Sequence, residues 1–148
     1  MLKIMLALHL LVAIFAVGPL VHAATTAARG VRHGDAAATA YSARMSRIYA
    51  NASVLVVILG FGLMASKQNG HAVAKISETW IWLSALLWLI AVALVQAVIA
   101  PTLDKATALI GKQESAAALT PRVAATGGVV GIVFAAIVFL MVYRPGGR

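Results

Sequence analysis

Residues Trp80 to Ala100 read WIWLSALLWLIAVALVQAVIA, 21 residues without a charged side chain. Apart from its tryptophans, the run carries polar side chains only at Ser84 and Gln96. A helix needs about 20 largely apolar residues to cross the hydrocarbon core of a bilayer, and only helices or closed barrels satisfy their own backbone there. The apolar residues come as a block, on all sides, and not as the single stripe of a soluble amphipathic helix. This stretch is therefore read as a membrane span.

Working outward, three more blocks meet the same length test: Leu2 to Ala24, Ile48 to Ser66 and Val123 to Tyr143. The four spans consume most of the chain, so residues 1–148 are read as one integral membrane domain. Of its 148 residues, 62% are hydrophobic and 11% charged. A soluble domain carries about a quarter charged residues, and that class is excluded. The expected fold is all-α, a four-helix transmembrane bundle with short amphipathic interfacial helices in the loops.

The first block has a rival reading. Lys3, the apolar run Ile4 to Val17 and the triplet Val21-His22-Ala23 have the layout of a signal peptide with a small-residue cleavage site. The basic start is weak and the apolar stretch continues to Ala24, so the segment is expected to be retained.

The net charge of +8 does not indicate nucleic acid, because the basic residues lie at span ends and in short loops. That placement orients a membrane protein and suits anionic headgroups. One side of the bilayer receives Lys3, Lys67, Lys75, Arg144 and Arg148, and the other Arg29, Arg32, Arg44, Arg47, Lys105, Lys112 and Arg122. Seven basic residues against five place both termini outside and the two longer loops in the cytoplasm.

Gly30 and Gly34 are expected to break the helix leaving the first span, with Asp35 capping the next. From there Tyr41, Met45 and Ile48 share a face, which predicts an amphipathic lead-in lying at the interface, Arg44 and Arg47 touching headgroups. After Pro101, which loosens the third span, Leu103, Ala106 and Ile110 form a weak apolar stripe ended by Gly111. Thr120-Pro121 is a good helix start. Trp80 and Trp82 sit where an aromatic belt anchors a span, as do Tyr143 and Arg144.

Helices associate in lipid by close packing of small residues and by interhelical hydrogen bonds. Gly127, Gly131 and Ala135 recur every four residues in the last span, and Gly62 with Ser66 repeats the relation in the second. These positions are expected to pack helices. Polar residues inside spans are read as turned into the bundle: His9, His22, Asn51 and Gln96. In an antiparallel arrangement His22, Asn51 and Gln96 reach similar depth near the cytoplasmic leaflet, and His9 and Ser84 lie nearer the other.

Two histidines thirteen residues apart on one helix evoke a membrane b-type cytochrome, but each iron needs a second axial ligand from another helix. His33 and His71 are in loops, which leaves only methionines such as Met64 or Met141. A copper site from His9 and Met5 is equally poor. The chain has no cysteine, hence no disulfide, thiolate or lipidated thiol. No span centre carries Asp, Glu, Lys or Arg, and Asp35, Glu78, Asp104 and Glu114 are scattered through the loops. No cofactor, no metal and no enzyme activity are expected.

Four short stretches together resemble an uncharacterised family of small bacterial, especially actinobacterial, integral membrane proteins with four spans. They are Leu8-His9 through Gly18-Pro19, Gly34-Asp35-Ala36-Ala37, Thr79-Trp80-Ile81-Trp82, and Leu140 to Gly146. The resemblance implies four spans in a bacterial plasma membrane and assigns no catalytic residue. The leading functional expectation is a non-catalytic accessory subunit bound to other integral membrane subunits. By analogy, the respiratory cytochrome bc–oxidase assemblies are the first candidate. The alternative is a stand-alone small transporter, channel or lipid-handling protein, with a cavity at His22, Asn51 and Gln96.

Overall fold

The structure is a computed structural model that describes residues 1–68 and 70–147. Arg148, counted above among the basic residues, lies outside them. Its helices are α1 (Leu2–Arg32), α2 (Ala36–Ala65), α3 (Thr79–Leu94), α4 (Ala100–Gly111) and α5 (Thr120–Tyr143). A π-helical turn, Val95–Ile99, joins α3 to α4 without a break, so the third long rod runs Thr79–Gly111. Two-residue strands, β1 (Lys67–Gln68) and β2 (His71–Ala72), pair antiparallel in the loop after α2. Four rods are long and apolar enough to cross a membrane, and the protein is a multi-pass membrane protein.

The rods outlast the four sequence blocks. At 1.5 Å per residue the 31-residue α1 is about 46 Å long, well beyond a hydrocarbon core of about 30 Å. Gly30 does not break α1. It stays helical because its bare Cα lets the start of α2 approach: a Cβ there would lie 3.1 Å from Ala38 Cβ and 3.3 Å from Thr39. The helix ends only at Gly34, whose φ of +61° suits glycine. Asp35 then caps α2, its carboxylate accepting from Ala38 N–H at 2.9 Å.

The lead-in at Tyr41 to Ile48 is continuous with α2 and packs differently from expectation. Its inward face is made of small residues, Thr39, Ala43, Ser46 and Ala50, all buried, while Tyr41 and Ile48 are exposed. Close backbone approach favours small side chains over large ones, and this is the packing of a membrane helix pair, not of a helix lying flat on lipid. The stripe Leu103, Ala106, Ile110 likewise faces protein, the first two fully buried.

Pro101 lacks an N–H, and the backbone accommodates it by widening the turn just before. Ala100 N–H reaches back five residues to Val95 O, and the rod continues past the proline.

α1 packs along α2 and α5, α2 also along α4, and α3 along α5. The buried core lies in one half of the bundle, the end carrying the first and third connections. In α1 the first buried residue is Ala16, in α2 the last is Ser53, and in α5 the last is Phe134. Leu20, Val95, Ile99, Leu103, Val123 and Val130 form its centre.

Candidate functional site: a half-zipped bundle

Four polar pairs tie α2 to the third rod through the closed half. Nearest the loops, the hydroxyls of Thr39 and Thr107 share a hydrogen bond of 2.7 Å. Next, Arg47 donates two hydrogen bonds to the carboxylate of Asp104. Gln96 Nε2 donates to Asn51 Oδ1 at 2.9 Å. Last, Trp88 Nε1 donates to Ser53 Oγ at 2.9 Å, and the Ser53 hydroxyl donates to Ala50 O at 2.7 Å. The π turn helps build this ladder, since it keeps Val95 and Ile99 buried while leaving Gln96 half-buried toward Asn51.

Beyond Trp88 the zip stops. α1 and α2 stay together, α3 and α5 stay together, and a cavity of about 450 Å³ opens between the two pairs. Its wall is almost wholly apolar, with Val17 and Gly18 on α1, Val57 and Phe61 on α2, Ala85 on α3 and Ile137 on α5. The volume falls within the roughly 300–1,000 Å³ typical of small-molecule sites.

Four side chains give this wall its few polar features. His9 lines it from α1, its Nδ1 3.0 Å from Val56 O. A carbonyl only accepts, so Nδ1 carries the proton and, in the neutral ring, Nε2 carries a lone pair. Ser84 lines it from α3, is 2% exposed, and its hydroxyl has no partner among the described residues. At the interfacial end Trp80 closes over the cavity, its Nε1 donating to Glu78 Oε2 at 2.7 Å. Arg144, where α5 ends in a left-handed turn, sets its guanidinium 5.5 Å from the Trp80 ring centroid.

The structure scatters the polar residues that sequence reading grouped. Asn51 and Gln96 do meet, but they pair with each other within the zip and do not line the cleft. His22 is exposed on the bundle surface, not buried, and so is Asn51. Thirteen residues rotate a helix by about 220°, which sends His22 almost opposite to His9. Among the described residues, no three His, Asp or Glu side chains gather as a metal site would require.

The small-residue strip is divided in the same way. A Cβ on Gly127 would overlap the backbone carbonyl of Ala24, and one on Gly131 would lie 3.3 Å from Thr25 Cγ2. Ala135, one step further, is exposed. Gly62 has nothing within 4 Å, and Ser66 merely donates to Gly62 O at 3.0 Å. A glycine that sequence reading passed over, Gly60, is the one on α2 with a close neighbour, since a Cβ there would meet His9 Cε1 at 3.2 Å.

Of the headgroup candidates, Arg44 and Trp82 are exposed, Arg47 is engaged by Asp104, and Trp80 is buried against the cavity. Trp88 and Ser53 were missed from sequence. The available signal was an indole in mid-span, whose N–H finds no water there and must find a protein acceptor.

The chain matches no protein-family model, and no curated protein or solved structure resembles it.

Proposed function

We propose that the protein is a non-catalytic, lipid-handling membrane protein that takes an apolar molecule from the bilayer into the cleft between its two helix pairs. One observation carries this reading: the cleft is large, nearly all apolar and bounded by spans, so hydrocarbon and not water is its natural occupant. Passage of a polar solute finds less support, because Asn51 and Gln96 spend their hydrogen bonds on each other.

Extraction in mild detergent followed by native mass spectrometry tests this. An adduct of small-molecule mass is expected on the wild type. Ala85→Phe, which fills the cleft from α3, should lose it while keeping the thermal unfolding midpoint. A bare wild-type chain across several detergents overturns the reading.

A second reading, an accessory subunit of a larger plasma-membrane assembly such as the respiratory cytochrome bc–oxidase, is favoured by one feature. α2 and α3 have no extended contact beyond the Trp88–Ser53 bridge, which leaves a seat for a helix of another subunit. Stoichiometric recovery of such subunits with an adduct-free chain would establish it in place of the first.

The location we propose is a bacterial plasma membrane, supported by the family resemblance. Both termini are proposed to lie outside, supported by the excess of basic residues in the first and third connections.

A further inference from the structure

We infer that the cleft selects a neutral hydrophobic molecule bearing a hydroxyl group, held between His9 Nε2 and the Ser84 hydroxyl. This rests on the lipid-handling reading and sharpens it.

Two polar side chains line this apolar cavity, one from each helix pair: Ser84 Oγ is buried without a partner among the described residues, and His9 uses Nδ1 on Val56 O, which leaves its Nε2. A buried hydroxyl without a hydrogen bond is costly, and native structures leave few of them. Their chemistry is complementary and specific. His9 Nδ1 is held as a donor by Val56 O, so Nε2 accepts. Ser84 Oγ can donate. A ligand hydroxyl answers both at once, donating to Nε2 and accepting from Ser84.

Other groups answer less. A ketone or ether oxygen accepts from Ser84 and leaves Nε2 unmet. A carboxylate would face the Nε2 lone pair and bring a charge into a wall whose one cation, Arg144, sits at the interfacial end over Trp80. A lone water needs two to four polar partners, and this wall supplies few amid a large apolar surface. The ligand's hydrocarbon part fills the remainder of the roughly 450 Å³.

The test is equilibrium binding of tritiated hexadecanol to the full chain in lipid nanodiscs, with its methyl ether and palmitate as competitors. The alcohol is expected to bind about three- to tenfold tighter than the ether, the worth of one net hydrogen bond. Ser84→Ala should weaken alcohol and ether by a similar factor, about three- to tenfold, and leave the preference between them in place, because that preference comes from His9 Nε2. This substitution removes one oxygen without touching the α1–α2 contact that His9 makes, so misfolding does not confound it. Equal binding of alcohol and ether by the wild type overturns the hydroxyl inference and leaves the cleft reading standing. Palmitate binding tightest, and weakening with Arg144→Gln, overturns it by moving the polar end to the cavity mouth. Absence of saturable binding for all three overturns the inference and the lipid-handling reading together.

Discussion

Trp88 stands two turns inside its span, and its indole N–H can be satisfied only by protein. Ser53 Oγ accepts a hydrogen bond from it and donates its own to Ala50 O, so the pair leaves no donor exposed to hydrocarbon. Interhelical hydrogen bonds of this kind contribute about 0.6 kcal/mol on average and up to about 1.7 kcal/mol. A double-mutant cycle with Ser53→Ala and Trp88→Phe, read by denaturant titration in micelles, should return a coupling in that range. A coupling below about 0.3 kcal/mol would mean that the bond adds nothing beyond packing. At this scale the sequence was partly readable. Asn51 and Gln96 were matched by depth, and they meet. Ser84 and His9 were assigned the same leaflet, and they share the cleft. His22 was misjudged, because mean depth along a rod says nothing about which way a side chain points around it.

Single elements show why spacing alone overstates packing. Gly127, Gly131 and Ala135 have the same period, yet close approach to α1 is confined to the first two, where α5 crosses Ala24 and Thr25. Two straight rods crossing at an angle touch over a turn or two, then diverge, so a long small-residue strip is used only at its crossing point. Gly127→Ala must push α1 and α5 apart and should cost about 1–3 kcal/mol, the range for overpacking. Gly62→Ala, in open space, should stay within about 0.5 kcal/mol of the wild type. Thermal unfolding of both variants in the same detergent checks the contrast, and equal losses would contradict the assigned crossing. The Pro101 region teaches a related lesson. Proline was a fair signal of a perturbed helix, but the response, one wide turn with the rod continuing, depends on α2 and α5 packing around Val95 and Ile99 and is invisible locally.

Over the whole molecule, four spans and their order were legible because bilayer thickness imposes a length that composition must match. The half-zipped shape was not, since it depends on which polar residues of α2 find partners across the bundle and where they run out. Helix beyond the hydrophobic blocks was expected before the second span and after Pro101, but the continuation of α1 past Gly30 and the inward packing of all three extensions were hidden for another reason. Those segments are rich in alanine and threonine, helical by packing and not by hydropathy. Orientation belongs to this scale and can be read on a chain without native cysteine. Ser115→Cys, in the third connection, should react with an impermeant maleimide only after the cells are opened. Gln68→Cys, in the hairpin, should react on intact cells, and the reverse pattern would invert the proposed topology.

The crossing of Gly127 on Ala24 also has a bearing on how the chain is made. Its two sides lie near opposite ends of the sequence, so a ribosome feeding the chain into the bilayer delivers one long before the other. Until the last span inserts, the first carries a bare strip of backbone with nothing to cover it. Any truncation ahead of α5 leaves that strip of α1 without the partner that covers it.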